Sequence, residues 1–239
     1  MSNSRALVIK SVKYGETSLI VSCYLEDIGF KSFLVKGLYS TKKSRFSKAH
    51  FFPLNIISLN YSYNENKNLG YIKEVKSEFL FDSIYTDVQK SSVIVFLSEI
   101  LNNVFKEELQ KNQDLFNFLL NSLLWYDKTK NCNIYHIKFL VELTKFIGFY
   151  PNIKNKNDIY FCLESGTSTN VKPINEFIKG EDLRLFNNLL GMKFEDLNTM
   201  SISRKSRARI LNKIIDYYSL HLQMFKTPKS INVFTEIFK

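Results

Sequence analysis

The chain reads as an α+β protein in which a five-stranded OB-fold β-barrel is followed by a mainly α-helical C-terminal domain. Three observations predict this. Short β-branched and aromatic runs fill the first 80 residues, helical periodicity takes over from about Asp82, and only 8 Gly and 4 Pro interrupt a chain of 239 residues. A 45% hydrophobic share, with 21 Phe and 13 Tyr, is ample for packed cores and argues against disorder or a fibrous repeat.

Five runs are expected as strands: Ala6 to Val12, Thr17 to Leu25, Phe30 to Lys36, Leu54 to Tyr63 and Leu69 to Lys76. Gly15, Gly29 and the polar cluster Asn64 to Asn68 punctuate them. In the fourth run Ile57, Leu59, Tyr61 and Tyr63 alternate with Ser58, Asn60 and Ser62, so one face turns inward and the other stays wet. A longer connection between the third and fourth runs suits a small closed barrel of the OB type, with an SH3-like barrel as the alternative.

Helical spacing follows in Val93, Phe96, Leu97, Ile100, Leu101 and Val104, then in Leu115, Phe118, Leu119 and Leu123. A third run, Ile134 to Ile147, meets Gly148 and Pro151, the punctuation of a helix end. Asn152 to Lys172 is polar and reads as a hairpin or loop insertion. Helical patterning is expected to resume around Pro173, to continue through Glu181 to Leu190, and to end in a stripe of Ile210, Leu211, Ile214, Ile215, Tyr218 and Leu222. The expected domains are therefore residues 1–80 and residues 81–239, the second carrying the insertion near 152–172.

The formal charge of +10 favours polyanionic partners, and clustering sharpens that expectation. Lys31, Lys36, Lys42, Lys43, Arg45 and Lys48 occupy the third strand and the loop after it, with no Asp or Glu between them. Tyr39 and Phe46 lie beside these cations, the combination that holds backbone phosphates and stacks unpaired bases. A second group, Arg204, Lys205, Arg207, Arg209 and Lys213, opens the last long helix, and Leu197 to Ile215 contains no acidic residue. Cations crowd a helix N-terminus at a cost of about 0.3–1 kcal/mol each unless an anion neutralises them, so this too is a candidate anion site, with Ser201 or Ser203 as N-cap. Lys226 and Lys229 extend the second group.

Other chemistries find little support in the residues. Gly37-Leu38-Tyr39-Ser40-Thr41-Lys42-Lys43-Ser44 resembles a phosphate-binding P-loop, but Lys42 stands where the second glycine is needed and no helical periodicity follows. His50, His136 and His221 are isolated from one another, and Cys23, Cys132 and Cys162 form no CxxC ligand pair. Neither a metal nor another cofactor is expected. Glu16, Glu26 and Asp27 are the carboxylates near the barrel that a metal-dependent nuclease could use. Scattered cysteines fit a reducing cytosol, and no apolar stretch approaches the roughly 18 residues of a membrane span, so a cytoplasmic protein is expected.

Four stretches carry a family resemblance. Ala6-Leu7-Val8-Ile9-Lys10 is followed by Tyr14-Gly15-Glu16-Thr17-Ser18-Leu19-Ile20-Val21, then come Gly29 and Val35-Lys36-Gly37, with Lys42, Lys43, Ser44 and Arg45 after them. Near the other end, Leu220-His221-Leu222-Gln223-Met224-Phe225-Lys226-Thr227-Pro228-Lys229-Ser230 leads into Val233 to Phe238. In this order they resemble the bacterial DNA-repair and recombination mediator family RecO. The resemblance implies an N-terminal OB-fold, a helical C-terminal domain, binding and annealing of single-stranded DNA, and partnership with RecR and the single-strand-binding protein SSB. Many members of that family carry a four-cysteine zinc site in the insertion after the third helix. Here Phe161-Cys162-Leu163-Glu164-Ser165-Gly166 keeps the outline of that hairpin with a single cysteine, so a metal-free version is expected.

The expected function is that of a recombination mediator, without enzymatic activity, that assists recombinase loading. Its DNA-binding residues are expected to be Lys31, Lys36, Tyr39, Lys42, Lys43, Arg45, Phe46 and Lys48, assisted by Arg204, Lys205, Arg207, Arg209, Lys226 and Lys229. An RNA-binding OB module and a metal-dependent nuclease are the alternatives.

Overall fold

A computed structural model describes residues 2–40, 44–64, 66–106, 111–130, 133–232 and 234. Five strands, β1 (Ser2–Tyr14), β2 (Ser18–Leu25), β3 (Gly29–Val35), β4 (Ile56–Ser62) and β5 (Gly70–Ser77), close into a barrel in the order β1-β2-β3-β5-β4. This is the order of an OB-fold. Gly15 and Gly29 make the turns before β2 and at the start of β3 with φ of +59° and +72°, a region that side chains rarely enter.

Alternating residues fill the interior: Val8, Val21, Phe33, Val35, Leu59 and Ile72 belong to one buried cluster. β1 serves two neighbours, pairing with β4 over Ser2–Leu7 and with β2 over Ala6–Tyr14. Closure depends on a short parallel pairing in which Phe33 meets Gly70 and Leu34 meets Tyr71. Gly70 is required there for space, because a Cβ would sit 2.7 Å from the Phe33 ring and 2.9 Å from the Ser62 carbonyl oxygen.

Two elements complete the first compact unit, which comprises residues 1–127 and 228–230. Helices α1 (Val88–Val104) and α2 (Gln113–Lys128) bury Phe96, Leu97, Leu119 and Leu123. Beyond α1, Phe105 stacks on Tyr24 of β2 at 4.7 Å, so this outward side of the barrel is dry. Asp127, at the end of α2, accepts hydrogen bonds from the backbone N–H groups of Asp82, Ser83 and Ile84 at 2.8–3.0 Å. Burial alone would push its carboxyl up, but these donors and the Ser83 hydroxyl outweigh it and hold the group below its ordinary range. Lys90 donates to the carbonyls of Tyr126 and Asp127, both at 2.9 Å, and Asp87 caps α1. The segment leaving the barrel is therefore clamped to the end of α2.

The second unit comprises residues 128–227 and 231–239. It contains α3 (Tyr135–Leu143), α4 (Gly180–Gly191), α5 (Arg204–His221) and a small sheet in the order β7-β6-β8, with β6 (Tyr160–Cys162), β7 (Thr167–Thr169) and β8 (Phe177–Lys179). Tyr218 of α5 donates to the Leu140 carbonyl at 2.7 Å, and buried Lys138 donates to the Leu189 carbonyl at 2.8 Å, tying α3 to both other helices.

Three sequence expectations are adjusted here. The run from Ile134 yields a regular helix only to Leu143, after which Thr144 to Gly148 form turns and Gly148 takes φ of +87°. Helical structure does not resume at Pro173, because Phe177–Lys179 pairs with β6 as β8 and α4 begins only at Gly180. Three residues are too short a stretch for periodicity to separate strand from helix. The strand bounds differ from expectation by up to four residues, and the largest change, at the start of β1, comes from its pairing with β4.

Replacing Gly70 with Ala is expected to weaken the barrel by about 1–3 kcal/mol, as overpacking does, and to lower the melting temperature by several degrees. Circular dichroism melting is the check. An unchanged melting temperature would mean that closure does not need the bare backbone at this position.

Candidate nucleic-acid interface

The barrel collects cations over aromatic rings. Lys31 of β3 places its ammonium 5.3 Å from the Tyr63 ring centroid, and Lys36, just beyond β3, lies 5.2 Å from that of Tyr71. Tyr39 receives two ammonium groups, from Lys48 at 4.7 Å and Lys13 at 5.6 Å. Each such contact contributes about 0.5–1 kcal/mol at an exposed site, enough to bias a flexible lysine without neutralising it.

Between β3, β5 and the loop after β3 runs an open groove of about 550 Å³, lined by Lys36, Arg45, Phe46, Tyr71, Lys73 and Glu74 among others. Its charge is set by a bulge. Asn60 pairs with Glu74 and Tyr61 with Ile72, so Lys73 is the extra residue on β5. That irregularity lets Ile72 and Val75, three apart, both face the core while Lys73 and Glu74 between them both face solvent. Three cations thus stand against one carboxylate. Lys31, Lys36, Arg45, Lys48 and Lys73 form no ion pair with any carboxylate among the described residues.

The aromatic residues sort differently from expectation. Tyr39 and Phe46 are half-buried and pack against the barrel core, Phe46 edge-on to Phe51 at 6.2 Å. The ring in this groove that is open to a stacking partner belongs to Tyr71, which is 44% exposed and which sequence reading did not single out. A usable signal existed in the alternation of Gly70, Tyr71, Ile72 and Lys73, which puts Tyr71 and Lys73 on the wet side. Lys42 and Lys43 lie outside the described residues.

The second cationic group, in the other unit, is partly spent on its own chain. Ser203 is the N-cap of α5, accepting from the Ser206 N–H at 3.1 Å. Arg204 and Lys205 are exposed, while Arg207 is half-buried, and burial together with Arg204 lowers its pKa. Arg209 makes a two-pronged bond to Asp182 at 2.8 Å, and Lys213 is paired with Glu176. The expectation of an acid-free cluster is corrected accordingly, because carboxylates remote in sequence neutralise two of its members. Lys226 and Lys229 are exposed and belong to different compact units.

The other candidates stay apart. Glu26 is held by Arg5 at 2.6 Å, Asp27 accepts from the Tyr61 hydroxyl at 2.6 Å, and Glu16 sits in the turn after β1. No group of three or more His, Cys, Asp or Glu side chains suited to a metal occurs among the described residues. His136 is buried and its pKa is pushed down to about 3, by desolvation first and by Arg207 second. No helix of the described residues is long and apolar enough to cross a membrane.

Comparison with known proteins covers nearly the whole chain. The model "Recombination protein O N terminal" matches residues 1–81, and "Recombination protein O C terminal" matches residues 85–230. The chain belongs to the RecO family. A DNA repair protein RecO of Flavobacterium psychrophilum is 38% identical, with 98% of each chain covered. One from Bacteroides fragilis is 36% identical over 97% of each, and one from Christiangramia forsetii is 30% identical over 99% of this chain and 98% of its own. In RecO terms, the N-terminal match takes in all five barrel strands, and the C-terminal match begins just before α1.

The hairpin β6–β7 holds the cysteine of the insertion. Burial raises the Cys162 thiol, but the N–H and hydroxyl of Ser165 and the N–H of Glu164 donate to the sulfur and bring its pKa below the ordinary value. Cys23, sealed in the barrel, is shifted strongly upward by burial. Cys132 lies outside the described residues. Alkylation with iodoacetamide near pH ~7.5, followed by peptide mass spectrometry, is expected to modify Cys162 long before Cys23. Comparable rates at the two thiols would contradict this assignment.

Proposed function

We propose that this chain acts in DNA repair as a recombination mediator that binds single-stranded DNA across the β3–β5 face of its barrel. The observation that carries the reading is the coincidence, in one groove, of three cations without carboxylate partners and an exposed aromatic ring. Phosphates need unneutralised cations a few ångströms apart, and an unpaired base gains about 1–3 kcal/mol by stacking on a ring. Lys36, Arg45 and Lys73 take the phosphate role, Tyr71 takes the stacking role, and Phe46 forms part of the groove wall.

The names of the relatives, DNA repair protein RecO, point to the same process. Binding of this kind relieves charge, and charge relief is what annealing requires: two polyanions approach once their phosphates are screened. Recombinase loading with RecR and SSB is the step that such a complex serves. The role is one of binding, with no bond made or broken, and a cytoplasmic setting accords with it. Arg204 and Lys205 are the remaining exposed cations at the start of α5 and act as a secondary contact, to which Arg209 contributes less because Asp182 already holds it.

Fluorescence anisotropy with a labelled oligonucleotide across a salt series tests the reading. For about five phosphate contacts, log affinity is expected to fall against log salt with a slope near −3.5. Changing Lys36, Arg45 and Lys73 together to Ala removes three contacts, so the slope becomes shallower by about 2. A salt-independent wild type, or a triple variant with the wild-type slope, would remove the groove from consideration.

A further inference from the structure

We infer that the outward face of α1 is a docking surface for a partner protein, taking a chain segment whose apolar anchors are flanked by Lys or Arg. The inference stands apart from the single-strand reading above, because this face repels phosphates. Ser91, Ser92 and Val95 follow Val88 at spacings of three, four and seven residues, so all four share one side of the helix. Val88 and Val95 are 69% and 42% exposed. The hydroxyls between them are already used, Ser91 donating to the Val88 carbonyl at 3.1 Å and Ser92 to that of Gln89 at 2.7 Å. Just before the helix, Tyr85 holds Phe52 and Phe81 edge-on at 5.6 and 5.7 Å, and Leu80, next to Phe81, is 86% exposed. Apolar surface gathered in this way marks an interaction site.

The far end of the same strip already receives a chain segment. Glu99, one turn beyond Val95, accepts the Ser230 N–H at 3.1 Å, and residues 228–230 belong to the same compact unit as α1. That segment sets a buried Pro228 beside an exposed Lys229, an apolar residue with a cation next to it. The half of the strip from Val88 to Val95 stays open for a segment of like chemistry. Charge fixes the sign of the partner. Residues 77–105 hold Glu78, Asp82, Asp87 and Glu99 against a single cation, in a chain of formal charge +10. That cation, Lys90, turns its ammonium inward onto the carbonyls of Tyr126 and Asp127. An acid-rimmed apolar face on a basic protein attracts Lys and Arg and keeps nucleic acid away, and a symmetric contact with a second copy would set acid against acid.

The test uses the full chain and two fluorescein-labelled peptides of about 14 residues, one with leucine and lysine at helical spacing and one with glutamate in place of each lysine. Fluorescence anisotropy is expected to show binding of the lysine peptide and none of the glutamate peptide. Val88→Ser with Val95→Ser is expected to weaken the lysine peptide about ten-fold, the loss of its apolar anchorage. Asp82→Asn with Asp87→Asn, which leaves a side chain able to cap α1, is expected to weaken it about five-fold. All four positions are on the surface, and circular dichroism is expected to show a wild-type melting temperature for both variants. Neither peptide binding, both binding alike, or both variants binding the lysine peptide as tightly as the wild type overturns the inference. Sedimentation showing a dimer at micromolar concentration that the double serine variant dissolves also overturns it, because the face would then belong to a second copy.

Discussion

The barrel closes on two residue pairs, and the candidate interface exists only because it does. Phe33 beside Gly70 and Leu34 beside Tyr71 bring β3 and β5 together in the one parallel pairing of the barrel. Parallel neighbours this short contribute few ladder hydrogen bonds, so packing has to hold them. Phe33 supplies it, fully buried and edge-on to Tyr61 at 5.5 Å, with the bare backbone of Gly70 against its ring. The same closure sets Lys36 over Tyr71 and gives the groove its two walls. An open sheet with the same side chains would scatter them.

Charge alone does not make an interface; availability does. The chain carries a formal +10, yet Arg209 and Lys213 are engaged by Asp182 and Glu176 and Arg5 by Glu26. On the barrel Lys13, Lys31, Lys36 and Lys48 rest instead on tyrosine rings. A cation–π contact positions an ammonium while leaving most of its hydration and charge for another partner, whereas a two-pronged carboxylate contact uses up the guanidinium fork. That difference separates the barrel cations from the more compromised group on α5.

Much of the barrel was legible in sequence because strand alternation is a local property. Ile57, Leu59 and Tyr61 turn inward as their spacing requires, and Gly15 and Gly29 sit where the turns need positive φ. What stayed hidden was non-local. The bulge at Lys73 is defined by its partners on β4, so no pattern within β5 alone reveals that Lys73 and Glu74 both face out. Asp182 lies 27 residues before Arg209, and nothing in the acid-free stretch around α5 announces it. Tyr39 and Phe46 stand beside lysines in sequence, but the core claims part of each ring, and Tyr71 takes the open position. β8 is hidden in sequence because three residues carry too little pattern, and its identity comes from pairing with β6.

Photo-crosslinking reads the DNA path most directly. An oligonucleotide carrying 5-iododeoxyuridine, irradiated with the intact protein and mapped by peptide mass spectrometry, should place its principal adduct on Tyr71, because that ring is the stacking surface inside the groove. Adducts confined to residues 204–229, with none between residues 31 and 76, would contradict a strand lying across the β3–β5 face.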